Sequence, residues 1–153
     1  MSLRQCGSCT ACCKTHAIKE INKPAGQWCS HCDIGVGCKI YNDRPSGCRE
    51  FTCLWLQGFS PPDDRPDRIK IVMDCCFLDR LGPVVIMFEV EEGSLATEVA
   101  KDYTRTCVGS GVLVCHHMLQ GPHIVYTPDR YIVPQLQFQL DDEELRFAKF
   151  PTF

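Results

Sequence analysis

The chain has 153 residues and a formal net charge of −3, with 44% hydrophobic and 23% charged residues. These values are typical of one globular domain, or of a small metal module joined to a small core, and they exclude a disordered tail. No apolar run approaches the roughly 18 residues that a membrane-spanning helix needs. Because the N-terminus also has no apolar signal segment, the sequence predicts a cytoplasmic protein with no membrane partner.

Residues 1–58 form the first predicted unit. They have little helical or strand periodicity and many Gly, Cys and Pro residues, which favours short turns organised around a metal. This unit has seven Lys and Arg against four Asp and Glu, whereas residues 59–153 have nine against fifteen. We interpret the local excess of positive charge as neutralisation of thiolates. It is too small to indicate a nucleic-acid partner.

Cysteine is the most unusual component, because nine of the thirteen cysteines lie within the first 53 residues. A cytoplasmic compartment keeps thiols reduced, and an odd number of cysteines cannot pair completely, so metal ligation is favoured over disulfides. The first four, Cys6, Cys9, Cys12 and Cys13, have the spacing Cys-x-x-Cys-x-x-Cys-Cys. Two-residue gaps let a tight turn aim neighbouring sulfurs at one ion.

The adjacent pair Cys12 and Cys13 constrains the number of sites. In an extended backbone the two side chains would point to opposite sides. The pair therefore predicts either two sites served by one segment, or a larger cluster with sulfurs around it. Cys6, Cys9 and Cys12 alone have the three-cysteine spacing of bacterial ferredoxins, and Cys29-x-x-Cys32 has that of a zinc-knuckle half-site.

A longer motif runs through residues 5–55. Its parts are Cys6-x-x-Cys9-x-x-Cys12-Cys13, Cys29-x-His31 and Gly37-Cys38-x-Ile40-Tyr41-x-x-Arg44-Pro45-x-x-Cys48-Arg49-x-Phe51-x-Cys53. On these residues the chain resembles the YkgJ-like cysteine-cluster family, described as a zinc- or iron-chelating domain. The resemblance implies that the cofactor is zinc or an iron–sulfur cluster. It implies eight metal ligands: Cys6, Cys9, Cys12, Cys13, Cys29, Cys38, Cys48 and Cys53.

Other residues in this unit have alternative interpretations. Cys32 stands where members of the family have an apolar residue, which predicts a buried free thiol. His16 and His31 are alternative nitrogen ligands. Arg44 and Arg49 are placed to donate hydrogen bonds to thiolate sulfurs, and the alternative is that they are solvated or paired with carboxylates.

The sequence of residues 68–153 predicts a small mixed sheet with one or two helices. This part is expected to pack with residues 1–58 as one compact α+β unit, in which metal stabilises the irregular cysteine-rich module. A segment with three prolines and three aspartates, residues 60–67, joins the two parts. Alternating apolar residues then predict strands over 68–77 and 83–91.

The elements after these strands are predicted from caps and stop signals. Ser94 predicts the N-cap of a helix from Leu95 to about Thr106, with Gly109 and Gly111 beyond its end. The helix is expected to bury Leu95, Val99 and Tyr103. Further strands are predicted over 112–117 and 123–126, and an acidic start predicts a last helix over 141–150.

Several side chains of this second part are predicted to serve packing alone. Cys75, Cys76, Cys107 and Cys115 are assigned to the core. Cys115 and its neighbour His116 cannot form a nucleophile and base pair, because adjacent strand residues point apart. Trp28 and Trp55 are expected to pack the cysteine-rich unit against the sheet.

Three functions are compatible with these residues. The first is a metal-binding protein that holds zinc, an iron–sulfur cluster or both. The second is an iron–sulfur redox or group-transfer enzyme, since flagellin lysine N-methylase has a related cysteine cluster, although residues 56–153 contain no recognisable methyl-donor site. The third is a zinc-folded module that binds a protein partner. Whether the chain is an enzyme stays open at this point.

Overall fold

The structure is a computed structural model that describes residues 4–78, 82–127 and 145–149. Its helices and strands show the α+β class that the sequence predicts. In chain order they are α1 (Cys12–Thr15), β1 (Cys32–Asp33), β2 (Gly37–Cys38), α2 (Ser46–Glu50), α3 (Pro66–Ile69), β3 (Ile71–Leu78), β4 (Gly82–Glu89), α4 (Glu98–Gly109), β5 (Leu113–His117), β6 (His123–Thr127) and β7 (Leu145–Lys149). Among the described helices, none is both long and apolar enough to cross a membrane.

One mixed sheet contains five strands in the order β3-β4-β5-β6-β7. The β3–β4 and β5–β6 pairs are antiparallel, and the β4–β5 and β6–β7 pairs are parallel. Parallel neighbours need a long crossover, and α4 provides it between β4 and β5. The short strands β1 and β2 form a separate antiparallel hairpin in the cysteine-rich part.

Helix α4 covers one face of this sheet. Met73 on β3 lies opposite Met87 on β4, and both are almost fully buried. They belong to the larger apolar cluster, whose buried members are Leu54, Ile71, Met73, Val85, Met87, Leu95, Ala100, Cys107, Val108 and Val114. The main core of the molecule therefore lies between the sheet and α4.

The cysteine-rich part packs on the sheet residues of the opposite parity. Val72 lies opposite Phe88 in the β3–β4 register, one step from the two methionines, so these side chains point away from α4. They belong to a second apolar cluster with Ala11, Cys53 and Trp55. The sheet thus separates α4 from the cysteine-rich part, and Trp55 serves the packing role predicted for it. Trp28 is absent from both described clusters and is 36% exposed.

The structure confirms the predicted strands except at the start of β3, which begins at Ile71 because Pro66–Ile69 forms α3, and it moves the predicted helix. Ser94 does not cap α4 but begins a short 3-10 turn, Ser94–Ala96, and the cap is Thr97, whose Oγ1 accepts a hydrogen bond from the Ala100 amide at 3.3 Å. The expected burial of Val99 is wrong, because it is 36% exposed. The residues that α4 buries are Ala100, Thr104, Cys107 and Val108.

Two further predictions for the second part are wrong. Residues 145–149 form a strand rather than a helix, because Leu145–Lys149 pairs with β6, which outweighs the acidic start that favoured a helix. The other residues of the predicted helix lie outside the described ranges. Cys75 is exposed although it shares the strand face of Met73, so burial ends part-way along β3. Cys107 and Cys115 are buried as expected.

Candidate metal centre

The first cysteine pair is held by a turn. Gly7 has φ of +55°, a conformation that glycine adopts without a Cβ clash, and the Cys9 amide donates to the Cys6 carbonyl at 2.9 Å. The chain then enters α1. Cys12 and Cys13 are therefore helical neighbours, about 100° apart around the axis, rather than residues of an extended segment. The premise that they point to opposite sides is wrong.

A second group of cysteines is tied directly to the first. The Cys29 amide donates to the Cys13 carbonyl at 3.0 Å, and the Cys32 amide donates to the Cys29 carbonyl at 3.1 Å. The β1–β2 hairpin then places Cys32 directly opposite Cys38. Its turn is anchored to the first loop, because the Gly35 amide donates to the buried Thr10 hydroxyl at 3.0 Å.

Cys48 lies on α2, the last element of the site in chain order. The Glu20 carboxylate accepts hydrogen bonds from the Ser46 hydroxyl at 2.6 Å and from the Gly47 amide at 3.2 Å. These bonds satisfy donors at the start of α2 and hold it against the 3-10 turn Lys19–Ile21. They also lower the pKa of Glu20, the Ser46 bond contributing most.

These segments enclose one cavity of about 200 Å³. Eight cysteines line it: Cys6, Cys9, Cys12, Cys13, Cys29, Cys32, Cys38 and Cys48. Seven of them are ligands that the family resemblance implies. The eighth implied ligand, Cys53, is 7% exposed and lies in the apolar cluster with Ala11 and Trp55, where it interacts electrostatically with Cys6. The structure thus brings seven predicted ligands together with Cys32.

Cys32 is the cavity residue that the family pattern sets aside. It was expected to be a buried free thiol, but it is only partly buried and faces Cys38 across the hairpin. The signal that finds it is local, because Cys29-x-x-Cys32 has the zinc-knuckle spacing and a left-handed Gly35 (φ +76°) makes the turn before Cys38. The expected burial of Cys32 is therefore wrong, and its role as a ligand stays a prediction.

Burial and neighbouring thiols together raise the pKa values of several cavity cysteines. Burial is the largest cause of the raised pKa of Cys48, followed by the neighbouring Cys13, Cys29 and Cys38. Burial, then Cys13, raises the pKa of Cys32 to about 11. Hydrogen bonding to Cys12 is the largest cause of the raised pKa of Cys13. Several negative charges in such a space need positive charge beside them, as a bound metal supplies.

Two histidines also line the cavity, His16 and His31. The His16 ring lies between Phe51 and Phe88, with centroids 4.2 and 4.3 Å away, and its Nδ1 is 2.8 Å from the Thr15 hydroxyl. Its Nε2 is buried and has no hydrogen-bond partner in the described part of the chain. Burial, then the nearby Lys23, lowers its pKa to about 4. Neutral imidazole is the form that binds metal.

The two motif arginines have different environments. Arg44 lines the cavity, donates from Nε to the Tyr41 carbonyl at 2.9 Å and stacks on the Tyr41 ring at 3.8 Å. It is close enough to Cys6 and Cys48 to oppose the rise in their pKa values that burial causes. Arg49 instead donates to the Asn42 carbonyl at 3.0 Å on the surface. Arg44 thus lies beside the sulfurs, but its described hydrogen bond goes to a carbonyl, so the expected bond to a thiolate stays a prediction.

The sulfurs share a cavity without forming a closed coordination shell. Across residues 4–78, 82–127 and 145–149, no three Cys, His, Asp or Glu side chains are already grouped as ligands of one ion. Cysteine side chains change position by rotation between staggered rotamers, so a metal would have to draw the sulfurs inward. What the fold supplies is a thiol-rich donor set of the kind that zinc and iron–sulfur clusters prefer.

Comparisons with known proteins identify no relative. No protein-family model matches the chain, and no curated protein and no solved structure matches it significantly. The resemblance to the YkgJ-like family therefore stays a prediction that depends on the motif residues alone.

Proposed function

We propose that this protein binds metal through the thiolates of its N-terminal cavity, as a YkgJ-like cysteine-cluster protein that holds zinc, an iron–sulfur cluster or both. The observation that carries the proposal is the convergence of eight cysteines on one cavity. They come from three separate segments. A backbone hydrogen bond between Cys29 and Cys13 joins the first two segments, and the β1–β2 register orders the second. Packing alone does not require eight thiols at one place.

The size of the donor set favours more than one metal ion. A tetrahedral zinc site uses four ligands, so eight sulfurs suffice for two such sites, or for one zinc and one iron–sulfur cluster. A cavity of about 200 Å³ also has more room than a single ion needs, since a water molecule occupies roughly 30 Å³. A single four-ligand site would leave four cavity cysteines without a role.

Metal analysis of protein purified without oxygen tests the proposal. We expect at least about one equivalent of zinc plus iron per chain, the minimum for one complete site. In Cys13→Ser a cavity sulfur is lost, and the metal content should fall. In the matched control Cys75→Ser an exposed cysteine of β3 is lost, and the metal content should be unchanged. Less than about one equivalent in the wild type, or equal content in both variants, would contradict the proposal.

A redox or group-transfer enzyme is the second candidate, and the apolar part of the cavity wall favours it. Ile18, Ile21, Ile40 and Phe51 line the space beside the sulfurs and could contact an organic substrate. This function requires an iron–sulfur cluster. The cluster should absorb visible light, and this absorption should bleach with dithionite, whereas zinc is colourless and redox-silent. A colourless protein with its full zinc content would exclude this candidate.

A further inference from the structure

Lys23 is a buried cation in the wall of the thiol cavity. The residue is 8% exposed, and the loop that presents it is closed by hydrogen bonds in both directions between the Ile18 and Lys23 backbones, at 2.9 and 3.0 Å. Its Nζ donates to the Lys14 carbonyl at 3.0 Å and to the His16 carbonyl. Lys14 lies in the last turn of α1 and His16 is its C-cap. The ammonium therefore holds the end of the helix that carries Cys12 and Cys13.

The surroundings of this ammonium contain thiols rather than carboxylates. Among the described residues, Lys23 takes part in no ion pair with Asp or Glu. Burial lowers the pKa of Lys23, and four cavity cysteines oppose that shift electrostatically: Cys29, Cys13, Cys12 and Cys48. An ammonium has three N–H donors, and the two carbonyls use two of them. Burying a charge is costly unless an opposite charge offsets it.

The thiolates of a metal centre would provide that opposite charge. A zinc ion with four thiolates has a formal charge of −2, which is itself costly in a partly buried cavity. Arg44 is the other cation with a described place in the cavity wall, and its guanidinium is stacked on the exposed ring of Tyr41. Lys23 is the more deeply buried of the two and interacts with cysteines from all three segments.

On the basis of the proposed function, we infer that Lys23 is the fixed counter-charge of the metal centre and a positioning residue for its ligands. The ammonium offsets thiolate charge on one side and fixes the carbonyl end of α1 on the other. Metal binding thus depends on one lysine that is not itself a ligand. Replacing a residue that orients metal ligands in this way typically lowers metal affinity by roughly 10- to 100-fold.

Chelator competition on the full-length protein tests this inference. Lys23→Gln keeps an N–H donor without the charge and should weaken zinc affinity by about tenfold or more. Lys23→Arg keeps the charge and should recover most of the affinity. The matched control is Lys19→Gln, which removes an exposed lysine from the neighbouring 3-10 turn and should bind like the wild type. Equal affinities of Lys23→Gln and Lys19→Gln would overturn the inference.

The outcome separates this inference from the proposed function. A wild-type protein that binds no metal would contradict the proposed function, whereas a wild type that binds and a Lys23→Gln variant that binds equally well would contradict only the role of Lys23. If Lys23→Gln does not fold, NMR of the zinc-loaded wild type with ¹⁵N-labelled lysine tests the role of Lys23 instead. We expect a slowly exchanging Nζ ammonium signal for Lys23. An uncharged amine, or exchange as fast as that of Lys19, would overturn the inference.

Discussion

At the scale of single residues, Cys32 and Cys53 are in contrasting environments. Cys32 faces Cys38 and shares the cavity with seven other thiols. Cys53 packs among the apolar side chains of Ala11 and Trp55, and backbone hydrogen bonds, that of Leu56 foremost, oppose the rise in its pKa that burial causes. An apolar environment suits a thiol that acts as a small hydrophobic side chain. We therefore expect Cys32, rather than Cys53, to be the eighth ligand.

A pair of variants tests this assignment. Cys32→Ser should reduce metal content or affinity, because a serine hydroxyl is a poor substitute for a soft thiolate. Cys53→Ala should keep the metal and lower the free energy of unfolding by about 1 kcal/mol, as the loss of a small buried group does. Elemental analysis and urea unfolding distinguish the two effects, with Cys75→Ser as the control. Loss of metal from Cys53→Ala alone would restore the ligand set that the family resemblance implies.

At the scale of elements, the sequence predicts what short-range patterns determine. The strands over 68–77 and 83–91 were predictable because their alternation matches the period of a strand, although β3 begins at Ile71, after α3, rather than at residue 68. The start of the helix was not predictable, because Ser94 is in isolation a slightly better cap than Thr97, which is the cap in the structure. Pairing of β7 with β6 is a long-range interaction that no local pattern contains.

The cap of α4 provides a test at this scale. Thr97→Ala removes the hydroxyl that accepts from the Ala100 amide, and it should lower the free energy of unfolding by about 1 kcal/mol. Thr106→Ala is the matched control, because this exposed threonine lies inside the same helix and has no capping role. Denaturant unfolding of both variants measures the difference. A Thr97→Ala variant as stable as Thr106→Ala would contradict the described helix start.

At the scale of the whole molecule, the cysteine-rich part and the sheet are joined by polar contacts as well as by the second apolar cluster. Lys14 donates from Nζ to the Val90 carbonyl at 2.6 Å. Arg65 donates two hydrogen bonds to the Asp67 carboxylate, at 2.6 and 2.7 Å. It also donates at 3.2 Å to the hydroxyl of Ser8, which lies between Cys6 and Cys9 in the sequence. These long-range contacts explain why the composition alone could not show how the two parts sit together.

Buried histidines make the stability of the molecule depend on pH. His116 is 3% exposed, its Nε2 lies 2.7 Å from the Thr104 hydroxyl, and burial lowers its pKa to about 4 from 6.5. The unfolded chain therefore binds a proton at a higher pH than the folded chain does. Stability from this group is present above pH 6.5 and declines as the pH falls toward 4.

Urea unfolding at pH 7 and pH 5 measures this effect. His116 should contribute a loss of about 2 kcal/mol between the two pH values. His116→Gln should remove that part of the loss even if the variant is less stable at pH 7. The pKa of His16 is lowered in the same direction, so part of the acid sensitivity should remain. An unchanged pH dependence in His116→Gln would show that this imidazole is not buried in its neutral form.

The cavity residues precede the five-stranded sheet in the chain and are therefore synthesised before it. Cavity-lining residues extend from Cys6 to Phe51, and the first strand of the five-stranded sheet begins at Ile71. A ribosome that adds about 5–20 residues per second completes the donor set one or more seconds before that strand is synthesised. If the proposed function holds, a bound metal would organise the nascent N-terminal segment first, and the sheet would then fold onto a surface that already exists.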